Sequence, residues 1–450
     1  MKVVIIGNGI AGSSAARYIR KYSDHEIIMI SNESEYPFSR TALMYIYMGH
    51  QRLDDTKLYE DEFWDKNRIG RLKSTVLAIH QDSKTLTLSD GKIVSYDKLI
   101  IATGSKSNKF GWPGQEFNGV IGLYNLQDLE LIESHSKNIK KAVIVGGGLI
   151  GIELAEMLHS RNIQVTFLLR ESSYWNIILP LEESMMINRE VHDNGIHLRL
   201  SEELNKVIDD GSGNVKGVIT SKGTFIEAQF VGLTVGVSPN IDFIQTNPIE
   251  TLNGVLVDEY LATSEPDIYA IGDCAQLRNP IPGRKPIEAL WYTGRMMGQT
   301  VAHTICKSPV KYNPGIWFNS AKFFNIEYQV YGEIQAKRLN HIHTLFWMHP
   351  NHKKAIRINF HAYYKNVTGF NLMGIRYRHE VCEKWIQSKT SIEEVLPNLS
   401  LANFDPEFFN EYESKLIEQY NQVNGSSLRL KSKRSLDLVT RFLNKVKPAK

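Results

Sequence analysis

One construction occurs twice in this chain. Val3-Val4-Ile5-Ile6 runs into Gly7-Asn8-Gly9-Ile10-Ala11-Gly12 and a stretch rich in alanine. Ala142-Val143-Ile144-Val145 runs into Gly146-Gly147-Gly148-Leu149-Ile150-Gly151 and then Ile152-Glu153-Leu154-Ala155. Each reads as an apolar strand, a Gly-x-Gly-x-x-Gly turn and a helix. In such a turn the first glycine permits the tight bend and the second lets backbone approach a pyrophosphate. The third lets the helix pack close to the strand. The helix N-terminus then points its unpaired N–H groups and partial positive charge at the phosphates. A single loop of this kind is weak evidence. Two, each framed by strand and helix, imply two dinucleotides in one protein and electron transfer between them. Gly7, Gly9, Ala11 and Gly12 are the candidate contacts of the first loop; Gly146, Gly148, Ile150 and Gly151 are those of the second.

A chain of 450 residues has room for two or three domains with full cores. Hydrophobic residues at 42% and charged residues at 22% are ordinary for a globular protein. No apolar run reaches the roughly 20 residues that cross a bilayer, and the N-terminus enters a core strand almost at once. A cytoplasmic protein is expected. The three cysteines, Cys274, Cys306 and Cys382, are far apart, so neither a disulfide framework nor a local zinc site is indicated, and no metal is expected. The net charge of +3 hides an asymmetry. Residues 425–450 carry eight basic side chains and one acid, a charge of +7 that leaves −4 for the remainder. Nucleic-acid binding by the body is therefore not expected.

The first glycine unit ends in the apolar stretch 26–30, and a helical stretch is expected near 43–49. Residues 72–88 alternate apolar and polar side chains before Asp90-Gly91, a hairpin signal. Tyr96–Thr103 reads as another strand, and 104–114, with Trp112-Pro113-Gly114, as a linker. A β-rich insertion around 207–232 turns at Asp209-Asp210-Gly211-Ser212-Gly213. Residues 289–305 read as a helix and 311–423 as a third region rich in aromatics. In the tail, Leu436, Val439, Leu443 and Val446 have amphipathic helical spacing among basic residues. That pattern suits an anionic membrane or an acidic partner, or a solvated terminus.

Three further stretches carry chemistry. Leu99-Ile100-Ile101-Ala102-Thr103-Gly104 reads as a buried strand ending in a small polar turn. Thr234-Val235-Gly236-Val237-Ser238-Pro239-Asn240 is a return strand and turn. Ile271-Gly272-Asp273 places an acid at the carboxyl edge of a strand, where ligands of parallel sheets bind and where it can accept a sugar or ribityl hydroxyl, or simply cap a helix.

In this order, with the two loops, the stretches over roughly 1–310 resemble the FAD-dependent pyridine nucleotide oxidoreductases. The resemblance implies an α/β fold with two Rossmann-like dinucleotide-binding domains, for FAD and NAD(P), plus an α+β C-terminal domain. It places a discontinuous FAD domain at 1–112 and 241–310, the NAD(P) domain at 113–240, an interface-like domain at 311–423 and a basic tail at 424–450. The first loop, Ala102, Thr103, Gly104, Gly272 and Asp273 would hold FAD. The second loop and Gly236 would hold NADH or NADPH. The thiol-active members carry cysteine after the second strand, whereas this chain has Tyr36-Pro37-Phe38-Ser39-Arg40-Thr41-Ala42-Leu43-Met44. That stretch resembles the nitrite reductase flavin domain, rubredoxin reductase and ferredoxin reductase group, which puts Arg40 close to the flavin.

Within the same resemblance, Glu153 matches the glutamate that orients the nicotinamide. Its charge also complements the helix dipole. Ferredoxin reductases pair that glutamate with a lysine, where this chain has Met44 and Tyr45. For the ribose, Asn32 stands where an acid is usual, with Glu33 beside it. In the second unit Leu169 replaces the acid; Arg170 suits a 2′-phosphate and Glu171 a ribose diol, which leaves the coenzyme open. Glu288 and Ala289 open a helix aimed at the flavin ring. The function implied is an FAD-dependent NAD(P)H oxidoreductase passing electrons to an external acceptor such as a small redox protein, with a homodimer possible. A membrane-surface NADH:quinone reductase and a redox-responsive binding module with slow turnover are the alternatives.

Overall fold

The computed structural model describes residues 1–244, 247–404 and 410–431. The chain forms two compact units. One joins Met1–Leu168 to Glu202–Pro314; the other joins Leu169–Ser201 to the described residues from Gly315 onward.

The first unit holds two parallel sheets. In one, the strands Ile268–Ala270, Lys98–Ile101, Lys2–Ile6, Glu26–Ser31 and Ile69–Lys73 lie side by side in that order. Lys2–Ile6 is central, and Val3, Val4 and Ile5 are fully buried. This explains its unbroken apolar run, since a parallel strand covered on both faces has no polar side. Helix Ile10–Tyr22 buries Ala11, Gly12, Ser13, Ser14, Ala15, Ala16 and Ile19. Against those small side chains runs helix Trp291–Cys306. A Cβ on Gly298 would stand 2.5 Å from the carbonyl oxygen of Ala11, so that crossing admits only glycine. In the second sheet Lys141–Val145 lies between Gln164–Leu169 and Phe230–Leu233, with the short strand Val120–Ile121 beyond.

The smaller elements follow their local signals. Thr85–Leu88 pairs with Ile93–Ser95 around Asp90-Gly91. Leu204–Asp209, Val215–Thr220 and Phe225–Glu227 form an antiparallel sheet. In its first turn the carboxylates of Asp209 and Asp210 accept from the N–H groups of Gly211 and Ser212. The stretch read as a linker is partly a strand. Ser105–Ser107 pairs antiparallel with Val237–Pro239, because the return strand runs beside it and supplies the partners its backbone needs.

The second unit contains an antiparallel sheet in the order Phe318–Phe323, Ile326–Gly332, Val367–Met373, Ala355–His361, Ile342–Met348. Helices His379–Gln387 and Glu413–Asn424 pack around it, and Tyr331, Phe370, Trp385 and Tyr420 share its core. Arg357 and Glu183, both buried, form a two-pronged pair at 2.6 and 2.8 Å that ties helix Leu181–Asp193 to the sheet. The amphipathic spacing at Leu436–Val446 lies outside the described residues.

Candidate functional site

The two glycine turns share one backbone shape. Gly7 has φ +110° and Gly146 φ +108°, a region that favours glycine. A Cβ on Gly7 would come within 2.1 Å of the Ala102 carbonyl oxygen, and one on Gly146 within 2.5 Å of that of Thr234. The middle glycines differ in kind. A Cβ on Gly9 or Gly148 would meet nothing within 4 Å, so these positions border open space. Gly12 is again tight, 2.1 Å from the Gly7 carbonyl oxygen. Ala11 is buried, Ile150 half-buried, and Gly151 buried.

The first sheet gathers the other candidates at the same strand ends. Ala102 donates its N–H to the Ile6 carbonyl at 2.8 Å. Thr103 Oγ1 donates to the Asn240 carbonyl at 2.7 Å. Gly272 lies against the first turn of helix Ile10–Tyr22, where its Cβ would be 2.9 Å from that of Ala11. Asp273 follows directly. Its Oδ2 is 3.3 Å from the Tyr124 hydroxyl and 3.4 Å from Ser105 Oγ. Burial raises the Asp273 carboxyl above its ordinary value; the Tyr124 hydrogen bond and the Arg40 charge oppose that rise.

Two residues read as serving different ends of the site are each other's partners. Arg40 Nη1 and Nη2 reach Glu33 Oε1 and Oε2 at 2.9 and 2.5 Å. Glu33 Oε1 also accepts the Leu126 N–H at 2.9 Å. Glu33 is thus the counter-ion of Arg40, while Asn32 is exposed at the strand end. Arg40 further donates to the Tyr124 carbonyl at 2.5 Å and lies 4.6 Å from the centre of the Tyr124 ring. Burial lowers the pKa of the guanidinium, but the charge and hydrogen bond of Glu33 together with Tyr124 and Asp273 outweigh it, and the net shift is upward.

Glu153 sits half-buried in helix Leu149–Ser160. Burial, then the charge of Glu156, push its carboxyl up to about 7. Gly236 has φ +91°. Arg170 and Glu171 belong to the other unit, where Arg170 Nε donates to Glu171 Oε1 at 2.9 Å and the arginine is exposed. Glu288 is buried and held by Arg284 at 2.5 and 2.6 Å. The helix read as opening at Glu288 begins at Trp291, and Ala289 is exposed before it. The Glu288 carbonyl instead accepts from Thr293 Oγ1, which anchors the approach to that helix.

Tyr124, Ser105 and Arg284 escaped the sequence reading because none lies in a motif. The one signal near Tyr124 is Asn125-x-x-Asp128, a capping box that starts helix Leu126–Ser136.

The family model for pyridine nucleotide-disulphide oxidoreductases matches residues 1–302. The chain belongs to this family. It is 32% identical over 287 residues to NADH-rubredoxin oxidoreductase of Clostridium acetobutylicum, covering 63% of this chain and 70% of the relative. It is 27% identical over 309 residues to the assimilatory nitrate reductase electron transfer subunit of Bacillus subtilis, covering 68% of this chain but only 40% of that longer relative. The fold matches the crystal structure of a ferredoxin reductase from Rhodopseudomonas palustris with a TM-score of 0.77 at 20% identity, covering 93% of this chain and 99% of the other.

The chain is an FAD-dependent NAD(P)H oxidoreductase with two dinucleotide cofactors. The residues present suit them. Helix Ile10–Tyr22 opens at Gly9 with no side chain capping it, and open space lies over both middle glycines. No helix among the described residues is long and apolar enough to cross a membrane.

Proposed function

We propose that the chain draws electrons from NAD(P)H through FAD to a small one-electron carrier protein of the rubredoxin or ferredoxin kind. The observation that carries this reading is the absence of a usable thiol among the described residues. The segment 36–44, where thiol-active relatives hold cysteine, has none. Cys274 and Cys382 are buried and Cys306 is partly so, and burial raises all three thiols. Raised thiols are poor nucleophiles, so electrons leave the site without a cysteine relay. The names of the rubredoxin-linked relatives support the acceptor class.

Bound FAD supplies two-electron uptake and one-electron release, which a nicotinamide alone does not. The protein supplies grip and charge. Gly7, Gly9, Gly12 and the start of helix Ile10–Tyr22 would receive the FAD pyrophosphate and Asp273 would accept from one of its hydroxyls; Arg40, paired with Glu33, sits at the same end. Gly146, Gly148, Gly151, Glu153 and Gly236 receive the nicotinamide coenzyme. Glu153, poised near neutrality, orients it.

Steady-state oxidation of NADH and NADPH, coupled first to ferricyanide and then to a rubredoxin and a ferredoxin, tests the reading. Brisk turnover with ferricyanide and with at least one of the carrier proteins is expected. Turnover with ferricyanide but with neither carrier overturns the acceptor class.

A further inference from the structure

Tyr124 belongs to no motif, yet it touches both poles of the proposed flavin end. Its position is fixed by backbone. Its N–H donates to Asp128 Oδ2 at 2.7 Å, and Asp128 is locked in the reciprocal cap with Asn125. From there the phenol oxygen accepts the Ser105 N–H at 2.7 Å and stands 3.3 Å from Asp273 Oδ2. With the Ser105 N–H already taken as donor, the phenolic proton is left for the carboxylate. The Tyr124 ring and carbonyl meanwhile hold Arg40, at 4.6 Å and 2.5 Å. Gly104 leaves room for this, since a Cβ there would come within 2.8 Å of the phenol oxygen.

We propose that Tyr124 is a positioning residue of the FAD site, engaging one oxygen of Asp273 with its phenol while clamping Arg40 with its ring and carbonyl. The proposal rests on the reading of Asp273 and Arg40 as FAD-side residues. The phenol, together with Ser105 Oγ, orients the carboxylate and favours its ionised form, the better acceptor for a hydroxyl. The charged and titratable groups facing Asp273 are Arg40, Tyr124 and the adjacent Cys274, with Glu33 behind Arg40. Of these the phenol is the one a single-atom change removes without touching the Arg40–Glu33 pair.

The test is FAD release from the full-length holoprotein, followed by flavin fluorescence between pH 5.5 and 8, with FAD-free thermal unfolding alongside. Tyr124→Phe keeps the ring and carbonyl and loses only the hydroxyl. It should raise the FAD dissociation constant about tenfold at pH 7, as expected for one hydrogen bond to a charged group, and more at pH 5.5. Tyr124→Ala should lose more, because Arg40 also loses the ring it packs against, and Ser105→Ala less. Asp273→Asn reports on the underlying reading. If Asp273→Asn weakens FAD and Tyr124→Phe does not, Tyr124 has no positioning role and the reading of Asp273 stands. If neither weakens FAD, that reading falls and the proposal with it. A loss in Tyr124→Phe that is the same at every pH and tracks the unfolding temperature is a purely structural effect and overturns the proposal.

Discussion

The two glycine turns have nearly the same backbone, but their acids live in opposite surroundings. Around the first, each carboxylate has a partner: Glu33 holds Arg40 and the Leu126 N–H, and Asp273 faces Tyr124 and Ser105. Beside the second, Glu153 has another acid, Glu156, as its electrostatic neighbour, and its carboxyl stands near 7. The partnered acids are held in place by their hydrogen bonds; Glu153, near neutrality, changes charge under working conditions. The contrast suits one nucleotide held through every cycle and another that enters and leaves. In the proposed function the same loop serves both nucleotides, and the neighbouring carboxylates are what distinguish the two sites.

The largest blow to this contrast should come from the tight glycines. Gly7→Ala pushes a methyl into the Ala102 carbonyl. It should cost about 3 kcal/mol or more in unfolding free energy and yield protein without flavin absorbance. Gly9→Ala, into open space, should leave the unfolding of the FAD-free protein within about 0.5 kcal/mol yet weaken FAD, read by equilibrium dialysis. Equal damage from both would mean the first loop is scaffold only. Gly146→Ala should leave a yellow protein that NADH no longer reduces in a stopped-flow trace. Loss of colour there would erase the division of labour between the loops.

Arg40→Ala removes the ionic partner of the largely buried Glu33 carboxylate and should destabilise by about 1–3 kcal/mol, by chemical denaturation. Adding Glu33→Gln should recover part of that. If the double variant is as weak as the sum of the two single ones, the pair is not coupled.

The remaining variant concerns Glu153. An unfolded glutamate titrates near 4.5, this one near 7. Between those values the folded chain holds a proton the unfolded chain has lost, so stability falls as pH rises across that window and is level above it. Glu153→Gln should flatten that fall and leave the protein at least as stable as the parent at pH 8, by thermal unfolding from pH 5 to 8. A parent curve already flat between pH 5 and 7 would mean Glu153 has an ordinary pKa.

Much of this is legible in the sequence. The apolar runs at Val3–Ile6 and Ala142–Val145, with their glycine spacings, carry the sheets because strand burial and tight turns write themselves into composition. Asp90-Gly91 and Asp209–Gly213 likewise announce their hairpins. The pairing of Arg40 with Glu33 was not legible, because it depends on how a loop folds back seven residues. Tyr124 reaches Asp273 from 149 positions away, and no local pattern encodes such a contact. The strand at Ser105–Ser107 was hidden for the same reason, since its partner lies at Val237–Pro239.

The glycine crossing of helices Ile10–Tyr22 and Trp291–Cys306 has a consequence for synthesis. The first strand, turn and helix leave the ribosome early, but the edge strand Ile268–Ala270 and the helix that seats Gly298 on Ala11 emerge much later. Until then one flank of the newborn sheet stays bare, a template for unwanted pairing. Closure must wait for distant chain, which makes assembly slow for topological reasons. A chaperone that shields nascent strands should therefore raise the yield of this protein more than it would for a unit built from contiguous sequence.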